Sequence, residues 1–276
     1  MAKNDISKVK LAAFAGNNYG EEWTCKLQAG WTYHDIQLVT NLKSETAIEH
    51  IKIDIGGREQ IKITGKRLRL LNALYQDKVQ QGRFVLCLSN FRYRAPAGIF
   101  KTQLATSELE DVTLSVQFGQ RGTGDPEKPQ MRGVAYVSDT DNMGKIFSPI
   151  KKEYVQITAA EGEHVWPMPN PKINEFAQRL IFDENEVQIK KILVKRGGAQ
   201  VHEYSREDLD FDLSEYSDIS LQEGHCLLDF TMFKFGSNGA LTTAGLEFTF
   251  EVTGKGSIKT YFEGYSQNVI PQPRAA

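Results

Sequence analysis

No stretch of this 276-residue chain approaches the roughly 18 consecutive apolar residues that a membrane-crossing helix requires. The lysines near its start are followed only by the apolar run Leu11–Ala15, too short for the core of a signal peptide. A dominant sign of charge is also missing. Thirty-three basic residues stand against 35 acidic ones, a net charge of −2, so no global field holds nucleic acid or an anionic membrane. Cys25, Cys87 and Cys226 are an odd and sparse set. Two of them lie in apolar runs and read as small buried hydrophobes in a reducing compartment.

Catalytic patterns are absent too. His34, His50, His164, His202 and His225 form no HxH or HExxH pair, which leaves zinc and cupin-type sites without support. There is no GxSxG elbow, no phosphate-binding P-loop and no GxGxxG after a strand. Cys87 carries no flanking signature of a nucleophile. No enzyme activity is expected. A glycosidase stands as the third reading, because its paired carboxylates leave no local motif.

What the chain does contain is itself, twice. Ile51, Ile53, Gly56 and Gly57 return as Ile192, Val194, Gly197 and Gly198, a step of 141 residues. Thr64 returns as Ser205 and Leu68 as Leu209. After a one-residue insertion, Leu71, Leu74, Gly82, Leu86 and Leu88 return as Leu213, Tyr216, Gly224, Leu228 and Phe230. After a deletion of about six residues, Val112, Leu114 and Val116 return as Phe248, Phe250 and Val252. One repeat of domain length means tandem domains of one fold, each long enough to bury a core.

The dominant period is two, as in Ile51, Ile53 and Ile55 alternating with Lys52 and Asp54, which makes strands with one buried face. Gly56-Gly57 and Gly197-Gly198 suit two-residue hairpin turns, since both positions can take positive φ. Thr64 and Ser205 each cap one short helix, the latter with Asp208 three residues on. The strands come at sandwich or jelly-roll spacing with no residues spare for crossover helices. The expected fold is all-β: two tandem eight-stranded jelly rolls, each with one short helix. The expected layout is an N-terminal arm over 1–20, a first jelly roll over 21–160, a Pro-rich linker over 161–172, a second jelly roll over 173–265 and a tail over 266–276. Lys151–Ile157 reads as the last strand of the first half, and Val165–Pro171 (VWPMPNP) as a stiff connector. Arm and tail read as tethers that order on contact. The polar loop Gly119–Gly133 has only the short Thr253–Ser257 as its counterpart.

Two charged features stand out. Asp208, Asp210 and Asp212 have a calcium-loop spacing, without the glycine and glutamate that complete an EF-hand. A solvated acidic helix end is the plainer account of them, since acidic residues favour a helix N-terminus. The second feature is a reversal of sign: Lys66, Arg67 and Arg69 have Glu207, Asp208 and Asp210 as their repeat counterparts. Drift of an exposed face would produce this, and so would a basic patch on one half meeting the acidic patch on the other across a subunit boundary.

The segments Ala29–Leu38 (AGWTYHDIQL), Ile51–Gly57 (IKIDIGG), Thr64–Asn72 (TGKRLRLLN) and Ser107–Phe118 (SELEDVTLSVQF), set in two tandem jelly rolls, carry a family likeness. The chain resembles the double jelly-roll major capsid proteins of tailless, internal-membrane double-stranded DNA phages, of the corticovirus and autolykivirus type. The resemblance implies a structural coat protein with no cofactor, made in the host cytoplasm and resident in the virion capsid. It implies homotrimers whose six jelly rolls form a pseudo-hexagonal tile of an icosahedral shell around an internal membrane. Its partners would be its own copies, minor capsid or vertex proteins and the membrane surface, with no sequence-specific nucleic acid. The runner-up reading is a tandem β-sandwich carbohydrate-binding or host-attachment protein. Trp23, Trp31 and Trp166 are its aromatic candidates, although Trp31 reads as core and Trp166 as packing between the domains.

Overall fold

The computed structural model describes residues 6–44, 47–75, 80–139, 146–236 and 239–268. The hairpin with Gly56-Gly57 organises the first half. Strands β4 (Ile48–Ile55) and β5 (Arg58–Thr64) are joined there with φ of +57° and +75°. Left-handed backbone at both turn positions matches the twist of the flanking strands. Thr64 then ends the strand and caps helix α1 (Gly65–Ala73), its Oγ1 accepting the Arg67 N–H at 3.2 Å.

The other elements of this half are β1 (Ser7–Lys10), β2 (Glu22–Leu27), β3 (Trp31–Thr40), β6 (Arg83–Cys87), the one-turn helix α2 (Pro96–Ile99), β7 (Leu104–Ala105), β8 (Val112–Phe118) and β9 (Met131–Asp139). They form two antiparallel sheets, ordered β1-β9-β3-β6 with β7 beside β3, and β2-β8-β4-β5. Successive strands cross between the sheets, which is jelly-roll winding. The core lies between the sheets, with Tyr33, Ile36 and Phe84 facing Ile51, Ile53 and Leu114.

The second half repeats this order nine strands later. Its elements are β10 (Phe147–Thr158), β11 (Gly162–Pro167), β12 (Glu175–Asp183), β13 (Ile189–Arg196), β14 (Ala199–Ser205), α3 (Arg206–Tyr216), β15 (His225–Asp229), β16 (Leu241–Thr242), β17 (Leu246–Val252) and β18 (Gly256–Gln267). Its sheets run β10-β18-β12-β15, with β16 beside β12, and β11-β17-β13-β14. Gly197 and Gly198 repeat the turn with φ of +58° and +82°. Ser205 Oγ accepts the Asp208 N–H at 3.1 Å, starting α3 as Thr64 starts α1. The expected pair of eight-stranded jelly rolls is therefore present, each with one further two-residue strand and the first with α2 in addition.

The domain boundary differs from the expectation. β10 pairs along its whole length with β18, from Phe147 opposite Gln267 to Thr158 opposite Gly256, and Ile150 joins the second core. The strand at Lys151–Ile157 thus opens the second domain and does not close the first. Residues 161–172 are not a linker. Their first part is β11, whose Trp166 ring packs 5.4 Å from Phe248 inside the second domain, not between domains. Pro167 ends an edge strand, where a missing N–H breaks no ladder. The junction falls between Asp139 and Phe147.

The first 20 residues are not a loose arm over the part described, since β1 pairs with β9 and Ala15 bridges Thr24. Residues 266 and 267 continue β18, and residues 269–276 of the expected tail lie outside the described residues. The register of the repeat also shifts. Ile51 faces Val116 while Ile192 faces Phe250, so Val112, Leu114, Val116 and Phe118 correspond to Leu246, Phe248, Phe250 and Val252, two residues from the expected match.

Candidate functional site

The first domain meets the second through α1. Capping at Thr64 starts the helix directly at the end of β5, and Asn72 fixes its far end. The Asn72 amide donates to Val85 O at 2.8 Å and its Oδ1 accepts the Val85 N–H at 3.0 Å, so it completes the edge of β6. Leu74 is buried in the core cluster of the second domain, with Leu70, Leu71 and Tyr75 packed against it. Ser220 N–H donates to Leu74 O at 2.7 Å, and the Gln222 amide donates to Ala73 O at 3.0 Å.

Arg67 crosses this seam. Its side chain is 1 % exposed and donates from Nη1 to Lys152 O and from Nη2 to Phe262 O, both at 2.9 Å. Its guanidinium lies 5.1 Å from the Tyr261 ring centre. At the opposite side, Arg94 N–H donates to Lys234 O at 2.6 Å, and Tyr93 and Thr231 share a hydroxyl bond of 2.8 Å.

Beneath α1 lies a cavity of about 180 Å³ bordered by both domains, with Asp35, Cys87 and Arg92 from the first and Lys151, Arg179 and Glu263 from the second. Lys151 Nζ sits 2.6 Å from Glu263 Oε1, and Arg179 Nη2 sits 2.8 Å from Asp229 Oδ2. Asp229 also accepts the Thr231 N–H and hydroxyl. Burial alone would raise the Glu263 pKa, but Lys151, Arg179 and Arg67 outweigh it and hold the carboxyl at about 2. Among the described residues no cation pairs with Asp35, and burial pushes it up to about 6. Cys226 is buried as expected and Cys25 is buried too, whereas Cys87, expected to be a buried, inert thiol, borders this cavity and is exposed.

The charged residues singled out in the sequence divide. Lys66 is exposed. Arg67 and Arg69 do not form the expected basic surface patch, because both are buried within the chain. Arg69 donates to Gln80 O at 2.8 Å and stacks 4.3 Å from the Phe84 ring centre. Neither guanidinium is free for a neighbouring subunit. Glu207 and Asp208 are exposed in the first turn of α3, where the helix dipole favours carboxylates. Asp210 is taken by Arg206 at 2.8 Å.

Asp208, Asp210 and Asp212 do not converge on one point: Asp210 is held by Arg206, and only Asp208 and Asp212, four residues apart, share a face of α3. They lie on a helix, where residues two apart point about 200° from one another. Among the described residues no group of three or more acidic, histidine or cysteine side chains could hold a metal. Sequence reasoning missed Lys151, Arg179, Asp229 and Glu263. For Arg179, Asp229 and Glu263 the available signal was charge at strand positions where the other half carries Asp35, Cys87 and Tyr136, whereas Lys151 has the like residue Lys8 as its counterpart.

Two like jelly rolls fused side by side through a rigid polar and apolar seam are the architecture of double jelly-roll capsid proteins. The fold matches the major capsid protein P2 of bacteriophage PM2 at a TM-score of 0.83 and 14 % identity, over 96 % of this chain and 98 % of that one. It matches a chain of Sulfolobus turreted icosahedral virus at 0.67 and 11 % identity, over 95 % and 91 %. It also matches the PBCV-1 virus capsid at 0.63 and 11 % identity, over 94 % and 93 %. No curated protein sequence matches the chain. Residues 8–138 match the viral coat protein P2 N-terminal domain, and residues 149–268 match the viral coat protein P2 C-terminal domain. The chain belongs to the viral coat protein P2 family. It is a structural protein of the virion capsid and not an enzyme.

Proposed function

We propose that this coat protein works as a homotrimer whose six jelly rolls form one pseudo-hexagonal tile, and that such tiles close an icosahedral shell around an internal membrane. The observation that carries this reading is the seam. It joins two domains of one fold through a buried arginine, four apolar residues of α1 and its neighbourhood, and direct backbone bonds. A seam of this kind holds the two domains as one unit, so three chains supply six equivalent-looking blocks. Minor capsid or vertex proteins would fill positions that six-sided tiles leave open. The membrane surface would lie under the tile's inner side.

Native mass of the purified full chain tests the reading. A trimer has three times the 31.1 kDa chain mass, about 93 kDa. A species that stays at 31.1 kDa at every concentration, with no assembly on addition of membrane vesicles, would overturn it.

A further inference from the structure

The contact between the two domains is heterologous, since it uses different surfaces of the same fold. The first domain contributes α1 with the adjoining strand β5, and the second contributes the edge strand β10 with β18 beside it. Each domain must therefore also carry the counterpart of the other's surface. The counterpart of the α1 surface is α3 with β14. The counterpart of the β10–β18 surface is β1 with β9.

Ladder registers fix the match residue by residue. Irregularities at Tyr33/Asp35 and Ala177/Arg179 align the two sheets. Lys10, opposite Val134, then corresponds to Glu153, opposite Tyr261, and Tyr136 corresponds to Glu263. On the helices, counted from the caps Thr64 and Ser205, Leu70 and Tyr75 correspond to Phe211 and Tyr216, and Arg67 to Asp208.

The two sets behave differently within the chain. Leu70 and Tyr75 pack into the second domain, while Phe211 is 64 % exposed and Tyr216 is 45 % exposed. The charges that act most on Arg67 are Glu263 and Glu153. The counterpart of Arg67 is the carboxylate Asp208, and the counterpart of Glu153 is the exposed amine Lys10. On the sheet side Glu153 becomes an amine and Glu263 becomes the neutral Tyr136, so the charge facing the helix shifts toward positive just where the helix position turns negative. Drift of one solvated face has no reason to produce a matched reversal on the other domain.

We propose that α3 of one copy docks on the β1–β9 edge of a second copy in the manner in which α1 docks on β10–β18 within the chain, with Asp208 facing Lys10 and with Phe211 and Tyr216 covered. This rests on the self-assembly reading above and names the surface that performs it. The place of Arg67 is taken by the carboxylate Asp208 in this second contact, so the contact is held by side-chain charge and aromatic area in place of arginine-to-carbonyl bonds. It is accordingly the more salt-sensitive of the two.

The test is a charge swap on the full chain, read by native mass and by dissociation on dilution in low salt. Asp208→Lys and Lys10→Glu should each raise the concentration at which the oligomer dissociates by about tenfold or more, as rim charge reversals do. The double variant Asp208→Lys/Lys10→Glu should return to within about threefold of wild type, because the pair is restored in the opposite sense. Phe211→Glu, at an exposed position, should block assembly without lowering the melting temperature of the monomer. An assembling wild type whose single variants assemble unchanged, or whose double variant stays as weak as the singles, would overturn this docking and leave the trimer standing. A wild type that never assembles would overturn the trimer itself.

Discussion

Replacing Arg67 by alanine should loosen the two domains from each other without disturbing either core. The side chain donates to Lys152 O and Phe262 O at 2.9 Å each, and it is 1 % exposed. Hydrogen bonds from a charged donor contribute about 1.5–3 kcal/mol apiece, so two of them set a gross loss of about 3–6 kcal/mol. Release of a guanidinium whose charged form burial disfavours offsets part of that. A net loss of about 3 kcal/mol is expected, the usual cost of breaking a buried charged contact. Urea unfolding followed by circular dichroism gives the number, and calorimetry shows whether one transition splits into two. Arg67→Met fills the same volume without charge and should recover half the loss or more, since well-packed apolar replacements of buried ions are often neutral. Arg67→Lys should fall between, because a single ammonium reaches one carbonyl and not both. An Arg67→Ala variant within about 1 kcal/mol of wild type, with one sharp transition, would refute the view that this residue holds the seam.

Three further outcomes are expected. Burial lowers the His34 pKa from 6.5 to about 4, with the ring held 2.8 Å from both Ser89 Oγ and Ser138 Oγ. The folded state therefore excludes the proton. Its contribution is whole above pH 6.5, falls as pH drops from 6.5 to 4, and amounts to roughly 3 kcal/mol. Urea midpoints at pH 7.5 and pH 4 should converge in His34→Gln relative to wild type, and an unchanged pH slope would contradict this. A Cβ on Gly98 would sit 2.1 Å from Phe235 O, so Gly98→Ala must push the two domains' loops apart. It should lower stability by about 1–3 kcal/mol, whereas alanine at the open turn position Gly254 should not. Buried Asp125 accepts the N–H groups of Lys43, Ser44 and Gly122, so Asp125→Ala should free the 119–130 loop. Trypsin would then cut after Arg121, and cleavage no faster than in wild type would show that the loop is held by other contacts.

The parts of this fold that were legible in the sequence are those decided within a few residues. Paired glycines needed positive φ, Thr64 and Ser205 needed to cap, and the period of two placed the buried faces, all of which the structure bears out. The misplaced boundary was decided by pairing over a distance. Nothing near Lys151–Ile157 says that its partner is β18, more than 90 residues on. The Pro-rich segment misled because proline marks linkers in general but is also tolerated at the end of an edge strand, which is where Pro167 lies. Arg67 and Arg69 were read as surface because charged side chains are almost never fully buried unless paired. Their partners are backbone carbonyls and aromatic rings, and these leave no trace in the charge pattern.

What diverged between the two halves locates the constraint that a duplicated coat domain must meet. β8 and β17 keep the same alternation of buried and half-buried positions, so the cores have barely moved apart. The seam positions have changed sign. A tile of alternating first and second domains needs each helix face to recognise the other kind of domain and to reject its own. If α1 met a β1–β9 edge, Arg67 would face the amine of Lys10. If α3 met a β10–β18 edge, Asp208 would face the carboxylate of Glu153. Like charges brought together as water leaves cost several kcal/mol, more than an exposed ion pair returns in attraction. The reversal therefore acts mainly by excluding the wrong order. Removing charge from one side only, with Asp208→Asn, should weaken that exclusion more than it weakens assembly. Because α1 of the same chain covers β10–β18, the wrong order also requires that seam to open, so crosslinks between α3 and β10 should appear when Asp208→Asn is combined with Arg67→Ala, and their absence there would mean that shape alone sets the order.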